Sequence, residues 1–175
     1  MPPIDPLLTP RLRLRALTPA DAPFLLDLLN DPGYLQHIGD RGVRCEADAH
    51  RYLADGPLAS YRRHGHGLLL AELRDDATPI GICGLLKRDT LDDIDLGYAL
   101  MPAFRSCGYV HEAAQALLAH AQAQLGVTRV VAVVAPGNAA SEQVLQRLGF
   151  AFERCVALGP GESQLRLFAH EAKAY

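Results

Sequence analysis

The chain has 175 residues, 49% of them hydrophobic and 21% charged, with a formal net charge of -3. That length and balance describe one folded domain and exclude an intrinsically disordered chain. The slight acidity argues against broad nucleic-acid binding, which needs many clustered cations.

Cys45, Cys83, Cys107 and Cys155 form no C-x-x-C pair and no His/Cys cluster with zinc-ligand spacing. They are expected to be free thiols in a reducing compartment, with no metal bound. The opening "MPPIDPLL" lacks the cationic segment and apolar run of an export signal, and no stretch approaches the roughly 20 apolar residues of a membrane span. These features predict one domain over residues 1–175, cytoplasmic, with no membrane or nucleic-acid partner.

In chain order, "RLRLRAL" alternates cation and leucine and predicts a strand with one buried face. "TPADAPFLLDLLN" predicts a helix with Thr18 as N-cap, Pro19 at its first position and Asp21 in its first turn. Leu25, Leu26, Leu28 and Leu29 would form its inner face, and Pro32-Gly33 would end it. A second helical region is expected between Cys45 and Arg63, broken near Gly56-Pro57.

"GLLLAEL" and "IGICGLL", separated by "RDDATP", read as a hairpin. "LDDIDLGYAL" alternates, with Ile94, Leu96, Tyr98 and Leu100 on one face and Asp93, Asp95 and Gly97 on the other. A helix from about Tyr109 to Leu125 follows, then the apolar strand "TRVVAVVA". "NAASEQVLQRLGF" is a helix stopped by Gly149, and "FAFERCVAL" and "SQLRLFAH" close the chain as a hairpin around Pro160-Gly161. Strand–helix–strand from "LDDIDLGYAL" to "TRVVAVVA" requires a parallel crossover. The predicted class is therefore α/β (α+β): a mixed, mostly antiparallel sheet with helices on both faces.

The stretch "FRSCGYV" brings an arginine and small residues to the start of a helix. A helix N-terminus presents unpaired N–H groups and partial positive charge, and so can hold phosphate. Gly108 permits close approach, Ser106 and Cys107 are small, and Arg105 could add a charge-assisted bond. Neither a dinucleotide fingerprint nor a P-loop is present. On these residues alone, a plain strand-to-helix turn explains the loop equally well.

Three further stretches bear on that choice: "DIDLGYALMPAFRSCGYVHEAAQALLAHA", "VTRVVAVVAPGNAASEQVLQRLGF" and "TPRLRLRALTPADA". Together they resemble the GNAT superfamily of acetyl-CoA-dependent N-acetyltransferases, in particular the RimJ/RimL branch, from about Thr9 to about Leu167. The resemblance implies a splayed central strand pair, with acetyl-CoA as cosubstrate in the gap. Its phosphate loop, R/Q-x-x-G-x-G/A, falls on Arg105, Gly108 and Val110. Valine departs from the pattern there, and Ser106 stands where the branch commonly has glycine. Neither change removes an amide donor; both add bulk beside the pyrophosphate. The pyrophosphate would sit on the amides of Arg105, Ser106, Cys107, Gly108, Tyr109 and Val110. Pantetheine would pair near Leu100 and with Asn138.

Amine attack on a thioester needs a neutral amine, donors for the oxyanion and a proton for the leaving thiolate. By the resemblance, backbone N–H groups near Tyr98 and Leu100 would serve the oxyanion and Ser141 would protonate the thiolate. The plainer reading makes Asn138 an N-cap with Ser141 in its first turn. Asp95, mid-strand where aspartate is disfavoured, is a candidate to draw in a cationic amine or accept its proton. Asp89 and Asp92 read as solvated turn residues. Tyr34 and His37 are candidate acceptor contacts.

A Cys107 acyl-enzyme is conceivable, but no histidine is tied to that residue. His64 and His66 read as loop histidines, and His111 as an exposed residue of the helix's first turn.

The expected function is acetyl transfer to a primary amine, a protein N-terminus or a small amine, by direct transfer in a ternary complex. A GNAT-fold binding protein without catalysis and a transferase of longer acyl groups are the rival readings. A monomer and a homodimer fit equally.

Overall fold

The structure is a computed structural model that describes residues 4–172. The first residues of "MPPIDPLL" and the two ends of the expected 1–175 domain lie outside that range. Eight strands form one sheet in the order β1-β2-β3-β4-β5-β6-β8-β7. They are β1 (Leu7–Leu8), β2 (Leu12–Ala16), β3 (Leu68–Leu73), β4 (Pro79–Leu86), β5 (Ile94–Leu100), β6 (Arg129–Val134), β7 (Ala151–Val156) and β8 (Leu165–Glu171). All neighbours pair antiparallel except β5 and β6. The helices are α1 (Ala22–Leu29), α2 (Pro32–His37), α3 (Glu46–Asp55), α4 (Pro57–His64), α5 (Tyr109–Leu125) and α6 (Ala139–Arg147).

The alternation in "RLRLRAL" places Leu12 and Leu14 in the core, both fully buried. Arg13 and Arg15 leave by the opposite face, where both meet the buried Glu72 of β3. On one side of the sheet α5 and α6 bring Ala113, Leu117, Ala121 and Leu145 onto Leu69, Leu96, Leu100 and Ala132. On the other, α1, α2 and α3 bring Leu25, Leu28, Tyr34 and Leu53 onto Leu68, Leu70 and Ile82. Helices thus cover both faces, as a mixed sheet with two apolar sides requires.

Three details differ from the sequence expectation. Pro32-Gly33 opens α2 instead of ending a helix: the Asp31 side chain caps it, accepting from the Tyr34 N–H at 3.0 Å, with Pro32 at the first helical position. Thr18 caps a short 3-10 turn, Pro19–Asp21, and α1 begins only at Ala22. The edge strand β1 is too short to leave a periodic signal. The break at Gly56-Pro57, the bounds of α5 and the stop at Gly149 all agree with the sequence reading.

Candidate active site

The parallel ladder between β5 and β6 contains two residue pairs, Ile94↔Val130 and Asp95↔Val131. Beyond Asp95, β5 stays paired with β4 as far as Leu100, and β6 stays paired with β8 as far as Val134. The two strands are therefore held by their outer neighbours while they part from each other. A wedge opens from Gly97 onward, flanked by strand edges that an extended ligand can pair with.

At the head of the wedge lies the loop before α5. Ser106 (φ 60°) and Gly108 (φ 82°) both adopt left-handed backbone, and no side chain caps the helix. The first-turn amides therefore face outward uncapped, which suits an anion. Val110, expected to crowd that position, packs half-buried against the core with Tyr109. Ser106, Cys107 and Gly108 are exposed. The small side chains thus face solvent and the bulky one faces inward.

The Arg105 guanidinium turns away from these amides. It donates to the Leu100 carbonyl at 3.1 Å and to the Asp31 carboxylate. The cation beside the loop is Arg11, which donates to the Cys107 carbonyl at 3.0 Å and lies 4.4 Å over the Tyr109 ring. Glu112 holds Arg11 at 2.7 Å and Thr9 at 2.6 Å. Arg11 was missed in the sequence because it reads there as the outer face of a strand.

The Arg105–Asp31 pair ties the loop to α2. Burial works against the Asp31 carboxylate, but bonds from Arg105 and Tyr34 prevail and hold its pKa below the usual range. A lowered folded-state pKa adds stability above the unfolded value of about 3.9, and that stability is lost as pH falls. Asp31→Asn should therefore cost about 1–2 kcal/mol at pH 7. It should also flatten the acid limb of a urea-unfolding stability profile; an unchanged acid limb counts against this role.

The start of α6 faces the wedge from the other side. Asn138 caps the helix, its side-chain oxygen accepting from the Ser141 N–H at 3.3 Å. The Ser141 hydroxyl lies 2.5 Å from the Tyr98 hydroxyl. This contact joins β5 to the helix that follows β6. Burial pushes the Tyr98 phenol up to about 12, so it keeps its proton at neutral pH. The Tyr98 side chain as a partner of Ser141 has no sequence signal, since 43 residues separate the two.

On the α1–α4 face a cavity of about 350 Å³ runs from α2, α3 and α4 to the Gly97–Ala99 stretch of β5. Wedge and cavity meet along that stretch. Tyr34 lines the cavity. His37 does not; Ile38, one helical turn after Tyr34, occupies the inward stripe instead.

Asp95 is 1% exposed and lies outside the cavity lining, paired with Arg88 at 2.5 Å. Burial raises its pKa, with the Arg88 charge opposing. The cavity therefore meets Arg88, and Asp95 lies behind it. Cys107 is exposed, its thiol near the Arg105 carbonyl, whereas the buried Cys83 thiol is pushed up to about 12 by desolvation. Among the described residues no group of three or more His, Cys, Asp or Glu side chains could hold a metal ion, and no helix is long and apolar enough to cross a membrane.

Residues 11–151 match the acetyltransferase (GNAT) domain family. The uncharacterized N-acetyltransferase YnaD of Bacillus subtilis (strain 168) is 24% identical over 155 residues, which cover 86% of this chain and 88% of YnaD. The crystal structure of an acetyltransferase from Agrobacterium tumefaciens str. C58 superposes with a TM-score of 0.80 at 26% identity, covering 98% of this chain and 96% of that one. RimL, a ribosomal L7/L12 alpha-N-protein acetyltransferase solved with coenzyme A, shares the fold with a TM-score of 0.80 at 19% identity, covering 96% and 98%.

Proposed function

From the premise that this chain belongs to the GNAT acetyltransferase family, and is thus an acyltransferase, we propose that it moves an acetyl group from acetyl-CoA to a primary amine by direct transfer in a ternary complex. The observation that carries this reading is the two-pair β5–β6 ladder, which opens a wedge between an uncapped helix N-terminus and a cavity on the opposite face. When bound, acetyl-CoA supplies an acyl thioester.

The protein's own groups do the rest. The amides of 105–110 hold the pyrophosphate, with the Arg11 guanidinium beside them. The facing edges of β5 and β6 hold the pantetheine arm, and β5 amides near Tyr98 and Leu100 receive the oxyanion. The amine enters through the cavity. As its nitrogen bonds to the acyl carbon, the carbon–sulfur bond breaks. Ser141 Oγ then gives the departing sulfur a proton, and the Tyr98 hydroxyl replaces it. The proton that the amine nitrogen sheds on becoming an amide returns through water to the Tyr98 oxygen. Asp95 acts through Arg88, as a positioning residue.

An α-amine is roughly 15% neutral at pH 7 and a lysine side chain about 0.04%. No strong base in the cavity is needed for an α-amine, so a protein N-terminus or a small α-amine suits this site, as the alpha-N-protein acetyltransferase RimL also suggests. Calorimetric titration is expected to show 1:1 acetyl-CoA binding, and a screen of peptides and small amines should release CoA thiol. Absence of binding at millimolar acetyl-CoA overturns the reading.

A further inference from the structure

The cavity that receives the amine is rich in cations. Arg41, Arg63, Lys87 and Arg88 line it against Asp55 and Asp89. Four positive groups against two negative ones make a poor site for a plain cationic amine, because like charges repel the ligand. Lys87 is already engaged, its ammonium donating to the Leu91 and Asp92 carbonyls at 2.5 and 2.7 Å. Arg41 is not: its hydrogen bond among the described residues is a long one, 3.4 Å to the Tyr34 hydroxyl.

Tyr34, Tyr52 and the two guanidinium groups form one cluster. Tyr52 lines the same cavity as Arg41 and Arg88, and burial raises its pKa, so its hydroxyl keeps its proton. A protonated phenol and a guanidinium are donors. Asp95 holds Arg88 from behind by its Nε, which leaves the two terminal nitrogens for a ligand. Asp95 pairs with β6 two residues before Gly97. The Arg88 contact is therefore about 7 Å of strand from where wedge and cavity meet.

We propose that the acceptor amine carries an anionic group, a carboxylate or a phosphate, and that Arg41 and Arg88 bind it with the Tyr34 and Tyr52 hydroxyls. This rests on the acetyl-transfer reading and sharpens its acceptor class. Bidentate guanidinium contacts fix the anion, and with it the direction from which the amine meets the β5 edge.

Matched pairs of amines test it: glycine against glycinamide, and phosphoethanolamine against ethanolamine. Each is titrated into protein saturated with CoA, at low ionic strength because the attraction is screened by salt. The anionic member of at least one pair is expected to bind tenfold or more tightly than its neutral twin, and the pair that shows the preference tells carboxylate from phosphate. Arg41→Gln should shrink that ratio toward one. So should the double variant Arg88→Gln/Asp95→Asn, which removes both charges together and leaves no buried carboxylate alone. Equal binding of the twins, no binding by any member, or a ratio that survives both variants overturns the proposal. Acetyl-CoA titration of the same protein separates the two levels. If acetyl-CoA binds and neutral amines are acetylated as well as anionic ones, the anion site alone falls. If acetyl-CoA does not bind, the transferase reading falls and this site with it.

Discussion

Ser141→Ala is expected to slow acetyl transfer within the saturated ternary complex by about 10- to 100-fold, at or below the bottom of the range of about 10²–10⁴ for general acid catalysis, because water can also protonate a thiolate. The variant is clean in its geometry. The cap at the start of α6 runs from the Ser141 backbone N–H to the Asn138 side chain, so removing the hydroxyl leaves that bond in place. Single-turnover kinetics should therefore show a slower chemical step with acetyl-CoA affinity unchanged. An unaltered rate would leave Ser141 as a capping residue alone. Tyr98→Phe keeps the ring packed against the core and removes the hydroxyl at 2.5 Å from Ser141. It should slow the same step by about tenfold. A Tyr98→Phe protein that transfers acetyl at the native rate removes the phenol from the proton path.

The second large effect concerns stability. Arg88→Ala leaves the Asp95 carboxylate 1% exposed with no cation beside it. Breaking a buried pair on one side costs about 3–5 kcal/mol, because the remaining charge is uncompensated. Burial raises the folded-state pKa of Asp95 above its unfolded value. A raised pKa means that the carboxyl's contribution is intact at low pH and is lost as pH rises through the folded value. The cost of Arg88→Ala should thus be small in acid and grow toward neutral and alkaline pH, as read by urea unfolding across that range. Adding Asp95→Asn to Arg88→Ala should recover most of the loss, and a double-mutant cycle reads the coupling. Asp95→Asn alone should lower turnover with little change in acetyl-CoA affinity, since the wedge and the loop are untouched. Native activity at pH 7 would take Asp95 out of the mechanism.

Much of the architecture is legible in short-range signals. The cation–leucine alternation of "RLRLRAL" set the buried face of β2, and the same period in "LDDIDLGYAL" set the two faces of β5. Gly149, in left-handed backbone, stops α6 where its position in the sequence said it would. The strand-to-helix turn at "FRSCGYV" was also readable, because a glycine at the start of a helix is a local feature. Turn chemistry failed at Pro32-Gly33. Proline breaks a helix from within and starts one at the first position, and only the Asp31 cap decides between the two.

The site's side-chain partnerships were not legible. Arg105 reads from sequence as a phosphate ligand; in the fold it meets Asp31, 74 residues away. Val110 reads as an obstruction and packs inward. His37 reads as an acceptor contact, and the helical stripe brings Ile38 to the cavity instead. By itself the sequence determined the elements, their buried faces and the glycines at their ends, because periodicity and backbone sterics act over a few residues. The splay of β5 from β6 was implied by the family resemblance; only the tertiary structure decided that Tyr98 meets Ser141 and that Arg88 stands between Asp95 and the cavity. Those contacts depend on strand order and on the outer neighbours that hold each strand, and no local pattern encodes them.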